Sequence, residues 1–134
     1  MITLIPIPTE ELDSVEILIS DLITRGVEID EGRSREEDVI ESIRSGGSQL
    51  WMLWSDHVEA IIITEVVDYP KFKACQIQLC VGENKKAWVH KIREIEKWAK
   101  SIGCSKMEIP FARQGWARVL PEYKKKRIVL TRTL

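Results

Sequence analysis

Phe72-Lys73-Ala74-Cys75-Gln76-Ile77-Gln78-Leu79-Cys80-Val81, followed by Gly82-Glu83-Asn84-Lys85-Lys86 and then by residues 87–102, is the stretch whose reading decides the fold. In the first segment Ala74, Gln76 and Gln78 alternate with Cys75, Ile77 and Leu79, the two-residue period of a strand over 72–81. In the last, Trp88, Ile92, Ile95, Ala99 and Ile102 recur at steps of four and three, so a helix over 87–102 buries one face. Lys91, Arg93, Glu94, Glu96, Lys97 and Lys100 cover the rest of it. Such a helix is about 24 Å long at about 1.5 Å per residue. Gly103 suits the position just past its end, and residues 106–111 read as the next strand. A strand, a crossover helix and another strand imply parallel pairing. The loop over 82–86 is the first place to look for chemistry, because a helix N-terminus there aims unpaired N–H groups and a positive dipole end at a docking anion.

Upstream of this unit, residues 49–54, 58–67 and 72–81 are joined by the turns Ser55-Asp56-His57 and Asp68-Tyr69-Pro70, which makes an antiparallel meander. Two helices precede it. Thr9 is a suitable N-cap, and Leu12, Val15, Ile19 and Leu22 follow helical spacing, widened by Leu18 and Ile23, up to a stop at Gly26. Ser34-Arg35-Glu36-Glu37 reads as a capping box for a second helix through Val39, Ile40 and Ile43, ended by Gly46-Gly47. Residues 2–7 form a first strand. Downstream, 114–120 is a short helix closed by Pro121, and 127–134 alternates as a terminal strand.

Composition sets bounds on function. The 134 residues are 44% hydrophobic and 31% charged, as in a globular domain with one core. The formal net charge of −1 gives no global attraction for nucleic acid or an anionic membrane. No apolar run approaches the roughly 20 residues of a membrane span. The first eight residues lack the basic flank and cleavage site of a secretory signal, so the cytoplasm is the expected location. Cys75, Cys80 and Cys104 read as free thiols, because an odd count without export does not suit a disulfide framework. With only His57 and His90 and no paired-cysteine motif, no metal site is expected. Nothing forms a nucleophile–His–acid set, and Cys80, whose pKa a neighbouring helix N-terminus could lower, reads rather as a buried strand cysteine. Lys124-Lys125-Lys126-Arg127 is a basic run without aromatic stacking partners, so it reads as a solvated turn. Trp51 and Trp54 have opposite parity on one strand. Either an indole is exposed for a partner, or helices cover both sheet faces.

The order β-α-α-β-β-β-α-β-α-β, an α/β chain with an α+β mixed sheet, resembles the acetyltransferase fold of the GNAT superfamily over nearly the whole chain. Glu96-Lys97-Trp98-Ala99-Lys100-Ser101-Ile102-Gly103-Cys104 is similar to the end of that family's central helix and its following Gly. Gly115-Trp116-Ala117-Arg118-Val119-Leu120-Pro121-Glu122-Tyr123 resembles more narrowly a group of short GNAT-like proteins of bacteriophages and prophages, mostly of unassigned function. Gln49-Leu50-Trp51 and residues 65–70 fit the narrower match. The resemblance implies a single domain over 1–134 with a mixed sheet splayed near the central loop. The phage group implies a protein of the host cytoplasm or the virion, with assembly proteins or its own copies as partners.

In active enzymes of the superfamily a Gln/Arg-x-x-Gly-x-Gly/Ala loop holds the pyrophosphate of acetyl-CoA on backbone N–H groups, and Gly lets the phosphate come close. By that resemblance Val81, Gly82, Lys85, Lys86 and Ala87 are the cofactor-binding candidates. The two small positions of the pattern fall near Lys86 and Trp88, so a bulky indole stands where a diphosphate needs bare peptide. Lys85 and Lys86 either pair with phosphate directly or are simply solvated. The resemblance also makes Glu65 the candidate general base, where the residue by itself reads as a charged side chain at a strand end. Its general-acid position falls on Pro121, which cannot donate a proton, with Tyr123 two residues on as acid or as core plug. Two functions follow. One is a non-catalytic phage or prophage protein that uses the fold for binding or virion assembly. The alternative is an acetyl-CoA-dependent N-acyltransferase with a divergent pyrophosphate loop. The altered loop and the absent Tyr at the acid position favour the first.

Overall fold

The computed structural model describes residues 1–30, 32–112 and 115–134. Five strands, β1 (Thr3–Ile7), β2 (Gln49–Trp54), β3 (Val58–Asp68), β4 (Lys73–Gly82) and β5 (Lys106–Glu108), lie side by side in chain order. The turns after β2 and β3 are short, so these neighbours run antiparallel, and β1 joins β2 in the same sense. A helical crossover separates β4 from β5, and this pair is parallel. The sheet is covered on both faces, which explains why Ala60, Ile61, Ile62, Ile63 and Thr64 on β3 are all buried.

One face carries Leu53, Ile62, Cys75 and Ile77 against Trp88, Ile92, Ile95, Ala99, Trp116 and Leu120. The other carries Leu50, Met52, Ile61, Ile63, Leu79 and Val81 against α1 (Leu12–Ile29) and α2 (Glu36–Arg44). Trp51 packs on the first face and Trp54 on the second, so cover on both sides accounts for their opposite parity. Trp98 meets Trp51 edge-on with ring centroids 5.1 Å apart. The Trp51 indole Nε1 donates to the buried Thr64 hydroxyl at 2.9 Å.

Several local expectations are corrected. Gly26 does not stop α1, which runs on to Ile29. A Cβ on Gly26 would lie 2.7 Å from Val81 Cγ2 and 2.9 Å from Leu79 Cδ2, so the missing side chain lets α1 approach the sheet. Leu18 is 52% exposed and lies off the buried stripe. Thr9 starts a 3-10 turn (Thr9–Glu11), and its hydroxyl donates to the Ile43 carbonyl at 3.4 Å rather than capping α1. The capping box does not form: Arg35 stands at the N-cap of α2, and the Glu36 carboxylate accepts from Ser20 and Thr24.

The helix expected over 87–102 is interrupted. A single turn, α3 (Lys85–Trp88), is followed by a 3-10 turn (Val89–Lys91) and then α4 (Ile92–Ser101). Trp88 leaves helical φ, at −131°, where its indole turns into the core and is fully buried. Ile92, Ile95 and Ala99 continue the buried face, whereas Ile102 lies past the helix and is 38% exposed. Gly103, at φ 97°, closes α4 as read: its N–H bonds Lys100 O and the next N–H bonds Ala99 O. The strand expected over 106–111 is only β5. Of the helix expected over 114–120, α5 (Gly115–Val119) forms, and Gln114 lies outside the described residues. Residues 127–134 form no strand, and Ile128, Val129 and Leu130 are exposed. Alternation supplies β-propensity but no ladder partner, and the neighbouring edge strand has only three residues.

Candidate active site

β4 and β5 are joined over only three pairs, Ala74↔Lys106, Cys75↔Met107 and Gln76↔Glu108. Beyond Gln76, β4 runs on to Gly82 with no strand on that side among the described residues, so the two strands part there, and the gap between them is the candidate cleft. At the same level β4 bulges. Ile63 pairs with Leu79 but Thr64 pairs with Ile77, which leaves Gln78 as the extra residue. A bulge frees backbone groups from the ladder and re-aims side chains.

The register sets three side chains in one row across the sheet. Glu65 is opposite Gln76, and Gln76 is opposite Glu108, so all three share the α1 face. Gln76 Nε2 donates to Glu108 Oε1 at 3.0 Å and to the Tyr69 hydroxyl at 3.1 Å, while Gln78 Nε2 donates to Gln76 Oε1 at 2.9 Å. Gln76 is 8% exposed and bonded throughout, which fixes the Glu108 carboxylate beside the opening of the cleft. Sequence reasoning missed Gln76, Gln78, Glu108 and Tyr69 as site residues. The available signal was two glutamines on a strand covered on both faces, where each must find a partner.

The loop above the cleft is held tightly from below. Val81 is buried, and a Cβ on Gly82 would come within 2.3 Å of Ala60 Cβ and 2.5 Å of Glu59 O, so Gly82 serves the close approach of β4 to β3. Glu83 N–H donates to Glu59 O at 3.3 Å, and the Glu83 carbonyl accepts the Trp88 indole Nε1–H at 2.6 Å. Asn84 turns the chain at φ 56°, a left-handed conformation that Asn tolerates. The Trp88 indole therefore lies under the loop, not over it. Lys86 and Ala87 face solvent, while the Lys85 ammonium sits 4.1 Å from the centre of the Trp116 ring. Cys80 is not activated by the helix start: burial pushes its thiol up to about 12. Burial likewise raises Cys75 to about 12 and raises Cys104, and all three cysteines are free.

Tyr123 packs on the α4 face and its hydroxyl donates to Glu96 Oε2 at 2.6 Å. Burial, then that bond to the carboxylate, raises its pKa far above the ordinary phenol value. Tyr123 and Glu65 thus lie on opposite faces of the sheet and are not brought together.

The turn between β2 and β3 is a separate polar cluster. His57 Nδ1 lies 2.7 Å from Asp56 Oδ1, and Nε2 lies 3.4 Å from Glu59 Oε1. The hydrogen bond to Asp56, then the charge of Glu59, raises the His57 pKa above its ordinary 6.5. The hydrogen bonds from His57 and Ser55 lower that of Asp56. Asp56 favours the folded turn only once ionised, and His57 only while protonated. The pair therefore stabilises the turn between the ordinary Asp pKa near 3.8 and the ordinary His pKa of 6.5, and fades on either side. The His57 ring resonances are expected to titrate above 6.5 by NMR and to fall back in Asp56→Asn. An unshifted His57 would show that the turn is open in solution.

No protein-family model and no curated protein matches the chain. Solved structures do. A probable acetyltransferase superposes with a TM-score of 0.71 at 14% identity, covering 98% of this chain and 97% of its own. The ribosomal-protein-alanine N-acetyltransferase of Brucella melitensis biovar Abortus 2308 gives 0.69 at 9% identity, covering 100% and 98%. A predicted acetyltransferase of Clostridium acetobutylicum, solved with acetyl-CoA, gives 0.68 at 15% identity, covering 100% and 96%. These neighbours lend no support to the narrower resemblance to phage and prophage proteins. At such identities the likeness speaks for architecture alone, and the fold of this chain is the GNAT-like mixed sheet and helices of these acetyltransferase structures.

Proposed function

We propose that this chain is an acetyl-CoA-dependent N-acyltransferase. The observation that carries the reading is the bulge at Gln78, set where β5 leaves β4. A bulge frees backbone donors from the ladder, and such donors suit the carbonyl oxygen of a thioester, which gains negative charge under attack. Glu108, oriented by Gln76, and Glu65 along the same row are the bases to which an attacking amine gives its proton. Lys86, Ala87 and the start of α3 take the diphosphate, with Val81 and Gly82 supporting the loop and Lys85 leaving the Trp116 ring to join them. The inward turn of Trp88 removes the steric objection raised by its bulk. The acetyl-CoA bound to the Clostridium relative supports the choice of cofactor. Tyr123, held on Glu96, acts as a core plug, and the departing thiol takes its proton from solvent.

A non-catalytic binding unit, in the phage setting of the sequence resemblance, is the second reading. The engagement of Lys85 with Trp116 favours it. Calorimetric titration with acetyl-CoA decides between the two. The expected result is micromolar binding, weakened about tenfold or more in Lys85→Ala/Lys86→Ala, since each charge-assisted phosphate contact contributes about 1.5–3 kcal/mol. No heat at millimolar acetyl-CoA would overturn the enzyme reading.

A further inference from the structure

The chain leaves α5 on one face of the sheet, and beyond it a side chain meets the last residue of β5, Glu108. On the α4 face it is fixed twice: the Tyr123 hydroxyl donates to Glu96 at 2.6 Å, and Glu122 pairs with Arg93 at 2.9 Å. On the α1 face it is met again where the Arg127 guanidinium lies 3.5 Å from Glu108 Oε2. Only Lys124, Lys125 and Lys126 lie between these anchors. They link the contacts on the α4 face to the contact with Glu108, the last residue of β5, where β4 and β5 part. All three are exposed. Four residues span at most about 14 Å, so the three lysines are confined between the Tyr123 and Arg127 anchors. Charge works in the same direction. Residues 124–134 hold five Lys and Arg and no acid, whereas the remaining 123 residues hold 15 Lys and Arg against 21 Asp and Glu.

We propose that the chain acylates its own basic segment, with an ε-amine of Lys124, Lys125 or Lys126 as acceptor. This rests on the acyltransferase reading. The amine nitrogen, in its neutral form, attacks the thioester carbonyl of acetyl-CoA. The new C–N bond forms as the C–S bond breaks, the nitrogen's proton passes to the Glu108 or Glu65 carboxylate, and the thiolate leaves and is protonated as free coenzyme thiol. No oxidant or further reactant enters. Each transfer removes one positive charge from the segment and loosens its attraction to the net-acidic remainder of the chain.

The test is a time course of the full-length protein with acetyl-CoA, read by peptide mass mapping. Lys97 and Lys100, exposed on α4, are the internal reference for spontaneous labelling. Acetyl groups are expected on residues 124–126 about tenfold faster than on the reference pair, because two anchors hold the acceptor at high effective concentration. The rate should not change on diluting the protein at fixed acetyl-CoA. Arg127→Ala should lower tail labelling about fivefold, through the loss of that tether, and leave Lys97 and Lys100 unaffected. Equal labelling of tail and reference, a rate that falls on dilution, or indifference to Arg127→Ala would each overturn the proposal. Calorimetry separates the two levels. Acetyl-CoA binding without preferential tail labelling sinks self-acylation alone, whereas absence of binding sinks it together with the reading beneath it.

Discussion

Ile95→Asp is expected to abolish the cooperative thermal transition of this protein. Ile95 is fully buried on the inner face of α4, in one cluster with Trp88, Ile92, Ile62 and Ile77. Removing its apolar side chain costs about 2–5 kcal/mol on its own. A carboxylate in its place adds a desolvation penalty of several kcal/mol, avoidable only by protonation or unfolding. Together these match the roughly 5–15 kcal/mol that separates a folded domain from its unfolded chain. Lys97→Asp, on the exposed side of the same helix, is the control and should change stability by no more than about 0.5 kcal/mol. Circular dichroism during heating distinguishes them. An Ile95→Asp protein melting within a few degrees of the parent would mean that the inner face of α4 has been misassigned.

The second large effect belongs to Trp88→Ala, expected to destabilise by about 3–5 kcal/mol in urea titration. Two losses combine. The indole is fully buried between the sheet and the following helix, and its Nε1–H is the donor to the Glu83 carbonyl. Trp88→Phe separates them, because it keeps most of the packing and orphans the carbonyl, for about 1–3 kcal/mol. If Trp88→Ala cost less than about 1 kcal/mol, the indole would not be the peg on which the loop hangs.

How far the fold could be read in advance follows from which residues answer to local rules. β2 was legible to the residue, and the parallel β4–β5 pair followed from a periodic helix between two apolar strands. Gly26 was misread because a glycine that ends a helix and a glycine that lets a helix approach a sheet look identical until Leu79 and Val81 are placed above it. The break at Trp88 was hidden because apolar spacing registers which side faces the core, not whether the backbone tightens to get there. Residues 127–134 carry the alternation of a strand, yet pairing depends on a neighbour that the alternation does not supply. Of the candidate site, the loop over 82–86 and Glu65 were named in advance, the glutamate through the family resemblance alone. The Glu65–Gln76–Glu108 row depends on strand register across two different pairings, one antiparallel and one parallel, and no single segment contains that information.

The shielding of all three sulfurs has a practical consequence. Cys75, Cys80 and Cys104 are held as protonated thiols at neutral pH, and the thiolate is the form that reacts with alkylating labels. A cysteine introduced on the open surface, for example at Lys126, would thus outcompete the native three for a maleimide dye. Fluorescence or spin probes can be attached beside the cleft without first stripping the native sulfurs from the sequence.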